Sequence, residues 1–361
     1  MNKLKFIIIL FLISNLLKAQ SVDLSSVDAF FDVTSSLKSG KEVSNDQWSN
    51  FDSSTVYKQY SNLEDKFIIN TIKESIQLVF GETETSNIDS ILYISKEEMT
   101  QNKELLVKKL FVDNYIKIND KYEDIIFFRN SYDFEGLVNE SKLKLSSFLG
   151  HPIDSLTGLK SLYFFFASAD AADKEDAIIA DLNLIYRQSE EQRIELIAHE
   201  YFHNYRERFE NHDFNYKCDL NYMIDMIQNE GIADMIDKTE GYEKYYSNDF
   251  YESDLSTIMV ELYNSAEKDL QRFHDLVIEY SLNNISKDSM VDGIMEIVKF
   301  NGHPIGFYIA NKIVNAGYRK QMTESFYEPF EFYKLYNKAA RKSNSFQLSD
   351  EFMEFIFERE N

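Results

Sequence analysis

His199-Glu200-Tyr201-Phe202-His203 is the stretch on which the reading of this chain turns, together with Asn229-Glu230-Gly231-Ile232-Ala233-Asp234 further along. In a helix, residues four apart stand one turn above each other, so His199 and His203 offer two imidazole nitrogens to a single point. A tetrahedral zinc ion fits such a point, and Glu200, one position round, can reach a water there as general base. The flanking sequence supports the helix. Ile194, Ile197, Ala198, Tyr201 and Tyr205 recur at helical spacing, and Ser189 to Phe209 holds neither Gly nor Pro. The competing reading of the pentapeptide alone is a buried amphipathic helix whose histidines only hydrogen-bond in the core.

The downstream segment weighs against that alternative. A catalytic zinc takes three protein ligands and keeps one position open, and Glu230 supplies the third. Met223, Ile227, Glu230 and Asp234 share one helical face, so two acids point together from an otherwise apolar side. Asp234 is expected to accept the second ring proton of a zinc-bound histidine, which fixes its tautomer. Gly231, costly within a helix, is expected to let this helix approach the His199 helix closely. The bland alternative is a solvated acidic helix that follows a chance pentapeptide.

On His199, Glu200, His203, Glu230 and, behind them, Asp234, the chain resembles the gluzincin metallopeptidases. In these, two histidines of HExxH on one helix and a glutamate from a second hold the metal. A metzincin would carry Gly and then His or Asp where this chain has Arg206 and Phe209, and the inverted H-x-x-E-H motif is missing. The Gly- and Asn-containing exopeptidase motif of the aminopeptidase branch is not found upstream. The segments Asn229 to Asp234, Gly302-His303-Pro304-Ile305-Gly306-Phe307-Tyr308, and Leu37-Lys38-Ser39-Gly40 to Trp48 are similar to a family of zinc-dependent peptidases from secreted bacterial proteins. The resemblance implies a zinc cofactor, a peptide or protein substrate, and two lobes around a cleft.

Amide hydrolysis also needs a hydrogen-bond donor for the developing oxyanion, which the two motifs do not supply. His303 is the candidate, because Pro304 is favoured at the first position of a helix and so puts His303 at a helix start. Tyr308, about one turn on, is the alternate. The competing reading of His303 is a capping or packing residue. His151, His212 and His274 have no partner at ligand spacing and read as surface or satisfied core residues.

Composition bounds the rest. Lys3 and Lys5 precede the apolar run Phe6 to Leu17, and Leu17-Lys18-Ala19 ends in a small residue, so residues 1–19 read as an export signal. The run is short for a membrane span, so the mature chain is expected to be exported, periplasmic or extracellular, without stable membrane insertion. Cys218 is the sole cysteine, which excludes an intrachain disulfide. The formal charge is −23 and becomes more negative once the leader's lysines are removed, which argues against nucleic acid as a partner. The acidity serves solubility, with a preference for basic peptides as the alternative. The sequence does not give the oligomeric state.

Helical spacing covers Leu63 to Phe80, Glu97 to Phe111 and Phe134 to Leu149, while Ser21 to Tyr60 reads as a polar stretch that wraps the domain. Leu162 to Ala167 and Ile178 to Tyr186 read as strands, one of them the edge that pairs with substrate, and Ser168 to Asp176 as a loop between them. Beyond Glu240 the chain reads as helical, with Asp254 to Tyr280, Ser289 to Phe300 and Pro304 to Ala316 as its main segments. The expected class is α+β, predominantly α-helical, with a zincin-like catalytic core and a helical C-terminal lobe. The expected division is 20–150, mostly helical; 151–240, the core with the metal site; and 241–361, the C-terminal lobe. The functional expectation is a zinc metallopeptidase. A zinc hydrolase acting on a non-peptide amide or ester, or a non-catalytic binding protein on the same fold, remain as alternatives.

Overall fold

Apolar and aromatic runs bounded by turns form the sheet, and long amphipathic segments form nearly everything else. The computed structural model describes residues 21–63, 66–81, 85–94, 98, 102–167, 169–209, 219–248 and 253–357. The expected leader at 1–19, His212 and Cys218 lie outside the described residues. The architecture is α+β and predominantly helical. Contacts divide the chain into two units, Met1–Glu140 with Lys160–Ser189, and Ser141–Leu159 with Glu190–Asn361. The stretch expected to form one core, 151–240, is therefore shared: its strands belong to the first unit and the His199 helix to the second.

In the first unit, β1 (Val22–Asp23) precedes α1 (Ser25–Lys38), α2 (Asn45–Ser53), α3 (Thr55–Ser61), α4 (Phe67–Phe80), α5 (Thr85–Leu92), α6 (Lys103–Asp120) and α7 (Tyr122–Ser131). The segment expected only to wrap the domain is thus a short strand and three helices. α1 buries Val27, Phe30 and Val33, and Phe30 packs on Phe166 at 4.6 Å between ring centroids. α8 (Phe134–Leu149) begins in this unit and continues past Glu140 in the second, and the first unit resumes with β2 (Ser161–Phe165), β3 (Ala171–Asp173), β4 (Ala177–Asp181) and α9 (Leu182–Arg187).

The sheet runs in the order β1-β2-β4-β3, with β2 parallel to both β1 and β4, and β3 antiparallel on β4. Both expected strands are interior. The edges are β1 and β3, and β3 lies inside the segment expected to be a loop, so the edge assignment is corrected. The second expected strand also stops early, at Asp181. Asp181 and Asn183, polar residues at that end, are fully buried. Asp181 caps α9 by accepting from the N–H groups of Asn183 (2.8 Å) and Leu184 (3.3 Å), and its other oxygen accepts from Ala167 N (2.6 Å). Burial pushes its carboxyl up to about 6, against the pull of those N–H groups.

The second unit holds α10 (Glu190–Arg206), α11 (Asp219–Asp237), α12 (Tyr242–Tyr246), α13 (Ser253–Ser281), α14 (Lys287–Ile297), α15 (His303–Asn315), α16 (Arg319–Glu324), α17 (Pro329–Ser343) and α18 (Asp350–Phe357). α10 is buried almost all round from Glu195 to Arg206, as befits a central helix. Its last residue, Arg206, is 1% exposed. It donates to both oxygens of Asp225 and to Gln228 Oε1 (2.8 Å) on α11, and to the carbonyl of Phe326 (3.3 Å). A desolvated guanidinium with all these acceptors fixes the register of α10 against α11.

The close approach expected of Gly231 is made to a different helix. A Cβ on Gly231 would lie 2.4 Å from the carbonyl oxygen of Gly306 on α15, and one on Gly306 would lie 2.3 Å from the carbonyl oxygen of Ile227. α11 and α15 therefore touch backbone to backbone. Gly302 completes the approach: its φ of +86° turns the chain into α15 and places His303 at the helix start, ahead of Pro304.

Candidate metal centre

Three helices of the second unit supply the site. α10 carries His199, Glu200 and His203, α11 carries Asn229, Glu230, Asp234 and Asp237, and α15 opens with His303. His199, His203 and Glu230 have ligand atoms within 4.8 Å of one another. Around Glu230 Oε2 stand His303 Nε2 at 3.3 Å, His203 Nε2 at 3.4 Å and His199 Nε2 at 3.7 Å.

None of these approaches has hydrogen-bond geometry, and Glu230 Oε2 is a buried oxygen with no hydrogen-bond partner. The atoms face a common point rather than each other. Two ligands of a tetrahedral zinc, each about 2.1 Å from the metal, stand about 3.4 Å apart. The separations of Glu230 Oε2 from all three rings lie near that edge, and of these residues His199, His203 and Glu230 are the three whose ligand atoms lie together within 4.8 Å. Charge points the same way. Glu200, Glu230, Asp234 and Asp237 gather here against the single ammonium of Lys238, an excess that a dication offsets. The residues present thus fit a zinc ion.

Each ring is oriented from behind. The Nδ1–H of His199 donates to Asp237 Oδ1 at 3.1 Å, and that of His203 to Asn229 Oδ1 at 3.0 Å. With Nδ1 carrying the proton, Nε2 presents a lone pair to the common point. Asp234 takes a different ring from the one expected. It lies 3.8 Å from His199 Nδ1, outside hydrogen-bond range, and accepts instead from His303 Nδ1 at 2.9 Å. Asp237 and Asn229, which sequence reasoning missed, fill the place given to Asp234. Asp237 had a signal: it continues the face of Glu230 and Asp234 by one more turn.

His199, Asp234 and His303 form a second group of donor atoms within 4.8 Å. That group does not suit a metal, since Lys238 Nζ already lies 2.5 Å from Asp234 Oδ1 and both Nδ1 atoms are engaged.

In the metal-free chain the rings bind protons more tightly than an ordinary histidine. Burial opposes the charged ring at His199, but the carboxylates of Asp237 and Glu230 outweigh it and raise its pKa well above the usual value. His203 is raised in the same way by Glu230, and His303 by Asp234 and Glu230. Burial alone would raise Glu230, yet the rings of His303 and His203 hold it well below the usual carboxylate range.

Glu200 is 5% exposed, and no hydrogen bond or ion pair holds its carboxylate among the described residues. Tyr308 is turned elsewhere, donating to Glu267 Oε2 at 2.5 Å, so the alternate role given to it is corrected. The remaining described histidines are structural: His151 meets the Tyr205 hydroxyl at 3.1 Å, and His274 contacts Asp275 and Ser349.

Fold and site together define a predominantly helical α+β protein with a His-His-Glu centre suited to zinc. The sequence profile of one family, described as "Putative zinc dependent peptidase (DUF5700)", matches residues 48–345, and the chain belongs to that family. No curated protein and no solved structure matches the chain.

Proposed function

We propose that the protein is a gluzincin-type zinc peptidase that hydrolyses peptide bonds with Glu200 as general base and His303 as oxyanion donor. The observation that carries this reading is the unpartnered oxygen of Glu230 facing the nitrogens of His199 and His203, with the unengaged carboxylate of Glu200 beside them. Peptide as substrate rests on the family description.

His199, His203 and Glu230 would hold the zinc ion, which when bound supplies a Lewis acid for the scissile carbonyl and the attacking water. Glu200 takes the proton of that water and delivers it to the leaving amine. Its lack of a hydrogen-bond partner leaves both oxygens available for the task. His303 donates from Nε2 to the developing oxyanion, which requires a proton on each ring nitrogen. Asp234, accepting from Nδ1, favours that imidazolium form. Export of the mature chain after a leader at 1–19, and a zincin-like arrangement of the core, form part of the same proposal.

Metal analysis and a mixed peptide pool test it together. The purified chain should carry one zinc and cleave peptides, and Glu200→Gln should keep the zinc while losing most hydrolysis, because an amide cannot accept the water's proton. Zinc that stays bound in His203→Ala, or wild-type cleavage by Glu200→Gln, would refute it.

A further inference from the structure

Lys238 follows the last residue of α11 and folds back over that helix. Its backbone N–H bonds the carbonyl of Asp234 at 2.9 Å. Its ammonium lies 2.5 Å from Asp234 Oδ1 and 3.0 and 3.2 Å from the two oxygens of Asp237. The side chain is 3% exposed, and the ring of Tyr245 lies 4.5 Å from Nζ. A lysine this deep is kept charged only by specific partners, and here both anionic partners have a second occupation. Asp234 accepts from His303, and Asp237 accepts from His199. An unbroken chain of buried polar contacts therefore runs from His303 through Asp234, Lys238 and Asp237 to His199.

We infer that Lys238 is a positioning residue, whose ammonium holds the carboxylates of Asp234 and Asp237 in place and thereby fixes the orientation of both His199 and His303. The inference rests on the zinc site proposed above. Without the ammonium, two buried carboxylates that share one cation would repel each other and turn apart. Each would carry its histidine ring with it. His203 lies outside this chain of contacts, since its Nδ1 is held by Asn229. A merely structural lysine would not act on two of the three rings and spare the third.

The test uses the full-length chain with Lys238→Met and Lys238→Arg, read by zinc affinity in chelator competition and by histidine-ring nitrogen NMR of the metal-free protein. Lys238→Met should weaken zinc binding by about 10- to 100-fold, the usual effect of losing support behind a ligand. The ring signals of His199 and His303 should shift while those of His203 stay. Lys238→Arg, which restores a cation able to bridge two carboxylates, should recover much of both. If Lys238→Met does not fold, Lys238→Gln, which keeps a donor and removes the charge, is read by the same two measurements. A folded Met or Gln variant with wild-type zinc affinity and unshifted His199 and His303 signals overturns the inference. A wild-type chain that takes up no zinc overturns the parent reading instead, so the two failures are distinct.

Discussion

Gly306→Ala tests whether the backbone contact between α11 and α15 is what brings His303 to the site. The new methyl would meet the carbonyl oxygen of Ile227 at 2.3 Å and the backbone N and Cα of Gly231 at 2.7 and 2.8 Å, where ordinary contact begins at 3.4 Å. These are backbone atoms, so no side chain can swing aside, and the helices must part by about 1 Å. Two effects on stability oppose each other. Overpacking of this kind costs about 1–3 kcal/mol, while replacing a helical glycine by alanine returns about 1 kcal/mol. The net loss should be modest, roughly 0–2 kcal/mol by those figures. Function should respond more strongly, since a displacement of about 1 Å in a reacting group can cost on the order of 100-fold. Zinc should remain, because His199, His203 and Glu230 all lie on α10 and α11. The assay is urea unfolding, metal content and peptide turnover on one preparation. Wild-type turnover in a folded variant, or zinc lost in step with turnover, would show that the contact does not position His303.

The two carboxylates behind the rings should separate in the same assays. Asp237→Ala should weaken zinc about 10- to 100-fold through His199, whereas Asp234→Ala should leave zinc affinity nearer to wild type and reduce turnover through His303. Equal zinc affinities for the two variants would contradict these pairings. Zinc affinity should also fall with acidity earlier than for ordinary histidines. A ligand ring must shed its proton to bind metal, and the carboxylates around His199 and His203 raise their pKa values, so protons compete already at pH above about 6.5. Chelator competition from about pH 8.5 down to about pH 6.5 measures this, and a flat affinity across that window would refute it.

What the sequence made legible was local. The five residues from His199 to His203 contain their own geometry, since helical pitch alone stacks the two rings, and the shared face of Glu230 and Asp234 follows from the same periodicity. Periodicity tells which side of a helix is buried and says nothing of what is packed against it. The face of Asp234 is therefore legible, but its neighbour, His303 of α15, is not, and the same holds for Gly231, whose close approach is to α15. Asp237 lies on the same face one turn beyond Asp234, where the helix ends. The sheet edge failed on a nonlocal fact as well: strand order depends on pairing across distant segments, and Ala171–Asp173 is too short to declare itself by alternation. The second expected strand runs on to Tyr186 in sequence but stops at Asp181, because polarity in sequence does not distinguish a strand residue from a buried helix cap.

Arg206 gives the two helices of the proposed metal site a second lock, one turn beyond His203. Asp225, Gln228 and the Phe326 carbonyl hold that end, so the spacing of α10 and α11 there is fixed by protein groups. In small zinc modules the ion is the keystone, and its removal unfolds the chain. Here a protein cross-link joins the same two helices, so folding yield is expected to depend less on metal supply than it does in those modules.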